Sequence, residues 1–329
     1  MLPHDPVPWL MAQDGLPAVR ARRLLGLSRD GDERFVTAVV RALAHEQRPD
    51  GSFDGSPMRT AGVLNLLDDL RTADVSAVVR AGASYLLFVL ASQPGYELAK
   101  HVAPGGLTGE CDLCGFFGPY SDRNVPEVLA WGAREMNFLR EYEPLLGPKS
   151  PVRDKRTSTL DRVGPGSCFA WGLVPLAHTV EALCRAHHAL DARLQPAINA
   201  LLGAQRRSGG WCRGDSGDPS CTTYAVRAIG AHQELRGSSH AEKALQFLRA
   251  TQQSAARSDI SRWSGCRRFT IIQSMAAFSQ PVARAIVRDA LRVVTRRQRR
   301  NGTFGGPFSV QRVCAVLVGM RSLSPPAAT

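Results

Sequence analysis

The chain has 329 residues, 44% of them hydrophobic, and carries Lys+Arg 41 against Asp+Glu 29 for a formal net charge of +12. That apolar share excludes a disordered polymer, and the length suits one large domain or two ordinary ones. Eight cysteines in a chain this long exclude a disulfide framework, so reduced thiols in a cytoplasmic protein are expected, and no stretch approaches the ~18 uninterrupted apolar residues of a membrane span.

The opening MLPHDPVPWLMAQDG has no basic stretch followed by an apolar run, so no leader is expected. Ala12-Gln13-Asp14-Gly15, followed by an apolar pattern over 16–27, reads as a divergent cap within residues 1–31. Apolar residues at helical spacing then predict helices over 35–45 and 58–70, separated by Gln47-Arg-Pro-Asp-Gly-Ser-Phe53. A helix over 79–91 runs up to Gln93. Residues 100–121 and 143–167, rich in Gly and Pro, read as loop insertions on either side of a helix over 125–142. Helices over 173–190 and 194–204 lead into Gln205-Arg-Arg-Ser-Gly-Gly-Trp211. Further helices are predicted over 222–235, 241–250, 269–278 and 284–295, then Gln298-Arg-Arg-Asn-Gly-Thr-Phe304 and a last helix over 309–320. No region alternates apolar and polar residues for long, so no strands are expected, and no composition break resembles an interdomain linker.

The three Gln turns share one template: Gln-Arg, a turn former (Asp, Ser or Asn), Gly, and an aromatic six residues after the Gln. The glycine permits the positive φ that ends a helix, the turn former can bond the turn backbone, and the Gln amide can cap a neighbouring helix end. Gln47 to Gln93 is 46 residues, Gln205 to Gln252 is 47 and Gln252 to Gln298 is 46. A period of that size signifies stacked helical hairpins, one helix set preceding the Gln turns and the other following them. The expectation is an all-α single domain over 1–329, an (α/α)6 toroid of about six helical hairpin repeats.

QRPDGSF, QRRSGGW and QRRNGTF resemble the QW-type repeats of the squalene–hopene cyclase and protein prenyltransferase β-subunit superfamily. Thr222-Thr-Tyr-Ala-Val-Arg-Ala-Ile229 resembles its inner-helix pattern, and the resemblance spans the chain from about Trp9 to Met320. It implies two rings of helices around a central cavity for an isoprenoid-like apolar substrate. For the cyclases it implies a D-x-D-D acid just before an inner helix. The matching positions here are Asp218-Pro219-Ser220-Cys221, with Asp218 retained and Ser220 at the proton-donor position. For the prenyltransferases it implies zinc held by Asp, Cys and His at inner-helix starts, where His178 and Cys221 stand with Asp218 nearby.

Read from the residues alone, Asp215 and Asp218 lie in a polar loop four residues longer than its counterpart after Phe53, and Tyr224 follows on the next helix. These three are the candidate catalytic rim; the alternative is that Asp218 and Ser220 only cap a helix. Trp131, Phe169 and Trp171 are candidates to line the cavity, or ordinary core. Cys111-Asp-Leu-Cys114 has the spacing of half a zinc site, with Cys221 and His178 among the residues that could complete it; unrelated thiols or a redox pair are the other readings. A non-catalytic toroid that binds a hydrophobic ligand or a protein partner is the competing function. The basic balance favours anionic partners, peripheral contact with an acidic membrane surface among them. Nucleic acid is disfavoured, because no aromatics interleave with the run Arg296-Arg297-Gln298-Arg299-Arg300.

Overall fold

A computed structural model of the chain describes residues 2–55, 57–71, 76–92, 173–211, 217, 219–257, 265–304 and 309–324. Among these the protein is all-helical, with no strand. The helices are α1 (Val7–Met11), α2 (Leu16–Leu24), α3 (Asp32–Glu46), α4 (Pro57–Leu70), α5 (Ser76–Ala91), α6 (Leu173–Arg185), α7 (Gln195–Gly203), α8 (Pro219–Ala231), α9 (Ser239–Arg257), α10 (Gly265–Met275), α11 (Pro281–Thr295) and α12 (Ser309–Leu323), with a 3-10 turn at Glu234–Gly237. The predicted helix over 125–142 and both insertions lie outside the described residues. No described helix is long and apolar enough to cross a membrane.

Two kinds of helix alternate along the chain, and their burial separates them. α11 starts with Pro281, whose fixed φ suits the first helical position. It then buries Ala283, Ile286, Val287, Ala290, Leu291 and Val294, one stripe at helical spacing, while Arg288 and Arg292 on the opposite face are exposed. In α4, by contrast, Val63, Leu64, Asn65, Leu66 and Leu67 are buried in succession, so every face of that helix is covered. The packing explains the difference. α2 packs on α4, α4 on α6, α6 on α8, α8 on α10, α10 on α12, and α12 returns to α2. The stripe-faced helices lie against this closed series: α5 on α4, α7 on α6, α9 on α8, and α11 on both α10 and α12. α3 joins through an apolar cluster in which its Val36, Val39 and Leu43 meet Leu16 and Val19 of α2 and Leu67 of α4.

The Gln turns link successive stripe-faced helices by one set of bonds. Gln47 Nε2 donates to the Gly51 carbonyl (2.9 Å) and to the Val78 carbonyl in the first turn of α5 (3.0 Å). Gln205 Nε2 donates to Gly209 (2.9 Å) and to His240 at the start of α9 (2.9 Å). Gln298 Nε2 donates to Gly302 (2.9 Å) and to His4 (2.8 Å), so the last turn docks on the first segment of the chain. Within each turn the turn former accepts from the backbone N–H two residues on, Asp50 from Ser52, Ser208 from Gly210 and Asn301 from Thr303. The turn glycines Gly51, Gly209 and Gly302 all have positive φ.

Helix starts and stops differ from the apolar pattern where local chemistry intervenes. α8 begins at Pro219, not at residue 222, because proline is well placed at a helix start. Thr222 therefore sits in the first turn, where its hydroxyl accepts from the Trp211 N–H at 3.1 Å, as Thr60 accepts from Phe53 at 3.0 Å after Pro57. α6 stops at Arg185, short of residue 190, since His187 turns left-handed (φ 66°) and the His188 N–H closes back on Leu183 at 2.9 Å. α9 runs past residue 250 to Arg257 and takes Gln252 into the helix, from which its Nε2 donates to the Ile286 carbonyl at 3.1 Å.

Candidate functional site

The C-terminal ends of α2, α4, α6, α8 and α10 surround a pocket of about 1190 Å3. Helix ends of that polarity expose carbonyls and partial negative charge, so cations are favourable there. Arginine supplies them: Arg236 Nε donates to the Gly230 carbonyl near the end of α8 at 2.5 Å.

A chain of ion pairs crosses the floor. Asp69 of α4 is nearly fully buried and is held by Arg20 of α2, whose Nε donates to Oδ2 at 2.6 Å, and by Arg185 of α6. Arg185 also donates from Nε to Asp68 Oδ2 at 2.6 Å and from Nη1 to Asn65 Oδ1 at 3.4 Å. One turn earlier on α6, Glu181 accepts on Oε1 from both Nη2 (2.8 Å) and Nε (3.2 Å) of Arg227 on α8. His178 Nδ1 lies 3.8 Å from the other oxygen of Glu181. Four helices of the closed series are thereby tied together by charge. Burial pushes the Glu181 carboxyl up, but Arg227, His178 and Arg185 outweigh it and hold its pKa well below the usual carboxylate range. Asp69 is likewise raised by burial and lowered further by Arg20 and Arg185, ending below its ordinary value. Burial, helped by Glu181, pushes the Cys184 thiol in the same wall up to about 12, so the free thiol stays protonated at neutral pH.

Of the residues singled out from sequence, Asp215, Asp218, Cys111, Cys114, Trp131, Phe169 and Trp171 lie outside the described residues. Tyr224 is half-buried on α8, packed against the main core one turn before Arg227. Cys221 is buried on the same helix, and His178 faces Glu181 from α6. Among the described residues no three of His, Cys, Asp and Glu come together as a metal would require.

The residues of the ion-pair chain carry no motif, yet the sequence holds a signal for some of them. Asp68 and Asp69 directly follow Val-Leu-Asn-Leu-Leu, Glu181 and Arg185 stand four apart in an apolar helix, and Arg227 sits inside Tyr-Ala-Val-Arg-Ala-Ile. A charge on a helix that is apolar on every other side must find a partner, because its unpaired burial is costly. Which partner it finds, 46 residues away for Arg227 or 116 for Asp69, is a matter of packing alone.

Comparison with protein-family models, with curated proteins and with solved structures finds no match to this chain.

Proposed function

We propose that the chain is an (α/α)6 toroid of the squalene–hopene cyclase and protein prenyltransferase β-subunit type and that it turns over an isoprenoid-like apolar substrate inside the ring. The observation that carries this reading is the triple repetition of the Gln turn, bond for bond, each turn docking on the start of the next outer element. Asp215 and Asp218 precede α8 in the sequence, and Tyr224 follows on that helix; they are assigned to the rim as acid or electrostatic groups. A buried carboxylic acid can protonate an alkene only if its surroundings keep it neutral, which is the role proposed for Asp218. The purified chain is incubated with farnesyl diphosphate, geranylgeranyl diphosphate and squalene, and products are followed by gas chromatography–mass spectrometry. Product formation that falls by about 100-fold or more in Asp218→Asn supports the reading, given the usual worth of a general acid. Equal turnover in the variant removes the role of Asp218.

A non-catalytic toroid is the second reading, and the ion-pair chain favours it. Glu181, Asp69 and Asp68 are saturated by arginines, so the described wall offers structure rather than a free acid. Under that reading the same substrates raise the melting temperature without any product.

A further inference from the structure

The two sides of the pocket differ in how far their charges are satisfied. On the α4–α6 side every carboxylate is engaged by a guanidinium. On the α8–α10 side the donors outnumber their partners. Arg227 spends Nε and Nη2 on a single oxygen of Glu181, and its Nη1 has no partner among the described residues. Among the described residues Arg236 uses only Nε, on the Gly230 carbonyl. His232 is 6% exposed, lines the pocket, and has its ring Nδ1 buried without a hydrogen-bond partner. Across from them Gln273 of α10 lines the pocket and is exposed, its amide without a partner among the described residues.

Arg227, Gly230 and Ala231 share one face of α8, and Arg236 is fastened to that face through Gly230, so the two guanidinium groups and His232 gather around one helix end. Glu234 on the 3-10 turn is the only carboxylate of this wall among the described lining residues. We propose that this wall binds a small oxyanion group, a carboxylate or a phosphate, through Arg227 Nη1, the free Nη atoms of Arg236, His232 and Gln273. Guanidinium forks match the planar oxygen pair of a carboxylate or the edge of a phosphate, and the low-dielectric recess strengthens each such bond. The pocket volume leaves room for the rest of a small metabolite, with Leu190 and Val318 as its apolar contacts. The site uses none of Asp215, Asp218 and Tyr224, so it stands or falls independently of the proposed isoprenoid chemistry.

Isothermal titration calorimetry of the full chain with inorganic phosphate and with citrate, at ionic strength held constant by sodium chloride, tests the assignment. Saturable one-to-one binding of at least one probe is expected. Gln273→Glu, which places a negative charge on an exposed position, and Arg236→Gln should each weaken it roughly tenfold or more. Arg300→Gln, on an exposed outer turn, should leave it unchanged. Binding of phosphate alone assigns a phosphoryl ligand, and binding of citrate alone a carboxylate one. The assignment is overturned if neither probe binds saturably above the chloride background. It is equally overturned if a Gln273→Glu chain with wild-type melting temperature binds as tightly as the parent.

Discussion

Glu181 illustrates what a buried charge does in this protein. Its carboxylate has exchanged water for Arg227, His178 and Arg185, and the exchange is favourable only while it remains ionised. Because its folded pKa is depressed, the stability it contributes is complete above the unfolded carboxylate value of about 4. That contribution drains away as pH falls toward the folded value. Urea unfolding between pH 7 and pH 3 should show a steep acid loss in the parent and a shallower one in Glu181→Gln, which starts about 3 kcal/mol lower at neutral pH. Identical pH slopes would place the acid sensitivity elsewhere. The Arg22–Asp32 pair offers a second case, since Arg22 is fully buried, binds both oxygens of Asp32 (2.7 and 2.6 Å) and donates to the Leu10 and Gln13 carbonyls. Asp32→Asn leaves that guanidinium unpaired and should cost about 3–5 kcal/mol in urea midpoint analysis. Asp191→Asn, at the exposed Arg193 pair, should cost less than about 1 kcal/mol.

At the scale of the element, the Gln turn is the unit that joins one stripe-faced helix to the next. The Gln205 amide binds the carbonyl of its own turn and that of His240, and no other group replaces it. Its Oε1 also bonds the His240 ring at Nδ1 (2.6 Å), so Gln205→Ala should destabilise by about 3 kcal/mol, at roughly 1 kcal/mol for each lost bond. Gly209 is held at φ 90°, and a Cβ there would collide with the Lys243 carbonyl of α9. Gly203, on the last turn of α7, has open space where a Cβ would sit. Thermal denaturation should show Gly209→Ala strongly destabilised and Gly203→Ala neutral or stabilised by up to about 1 kcal/mol. The turn was legible from the residues, because Gln, Gly and an aromatic at fixed offsets each have a local physical role. The hydroxyl of Thr222 was not: its place in the first turn of α8 depends on Pro219 starting the helix early.

For the whole molecule, the decisive contact joins the two ends of the chain. Gln298 donates to the His4 carbonyl and its Oε1 accepts the His4 N–H at 3.2 Å, while α12 packs on α2. The first segment thus takes the place that the start of α5 or α9 takes at the other two turns. Removal of residues 1–6 should lower the melting temperature by several degrees and broaden the transition, whereas the same truncation in a Gln298→Ala background should add less than the sum of the two effects. Purely additive losses would mean that the ends do not act through this bond. The sequence by itself determined the helical class, the alternation of two helix sets and the repeated turn, since each rests on interactions within a few residues. Only the tertiary structure decided that α4 meets α6, that the last turn closes on His4, and that Asp69, Glu181, Arg185 and Arg227 form one ionic chain. Those outcomes depend on which distant helix ends come together, and a buried charge states only that it needs a partner, not where in the chain that partner lies.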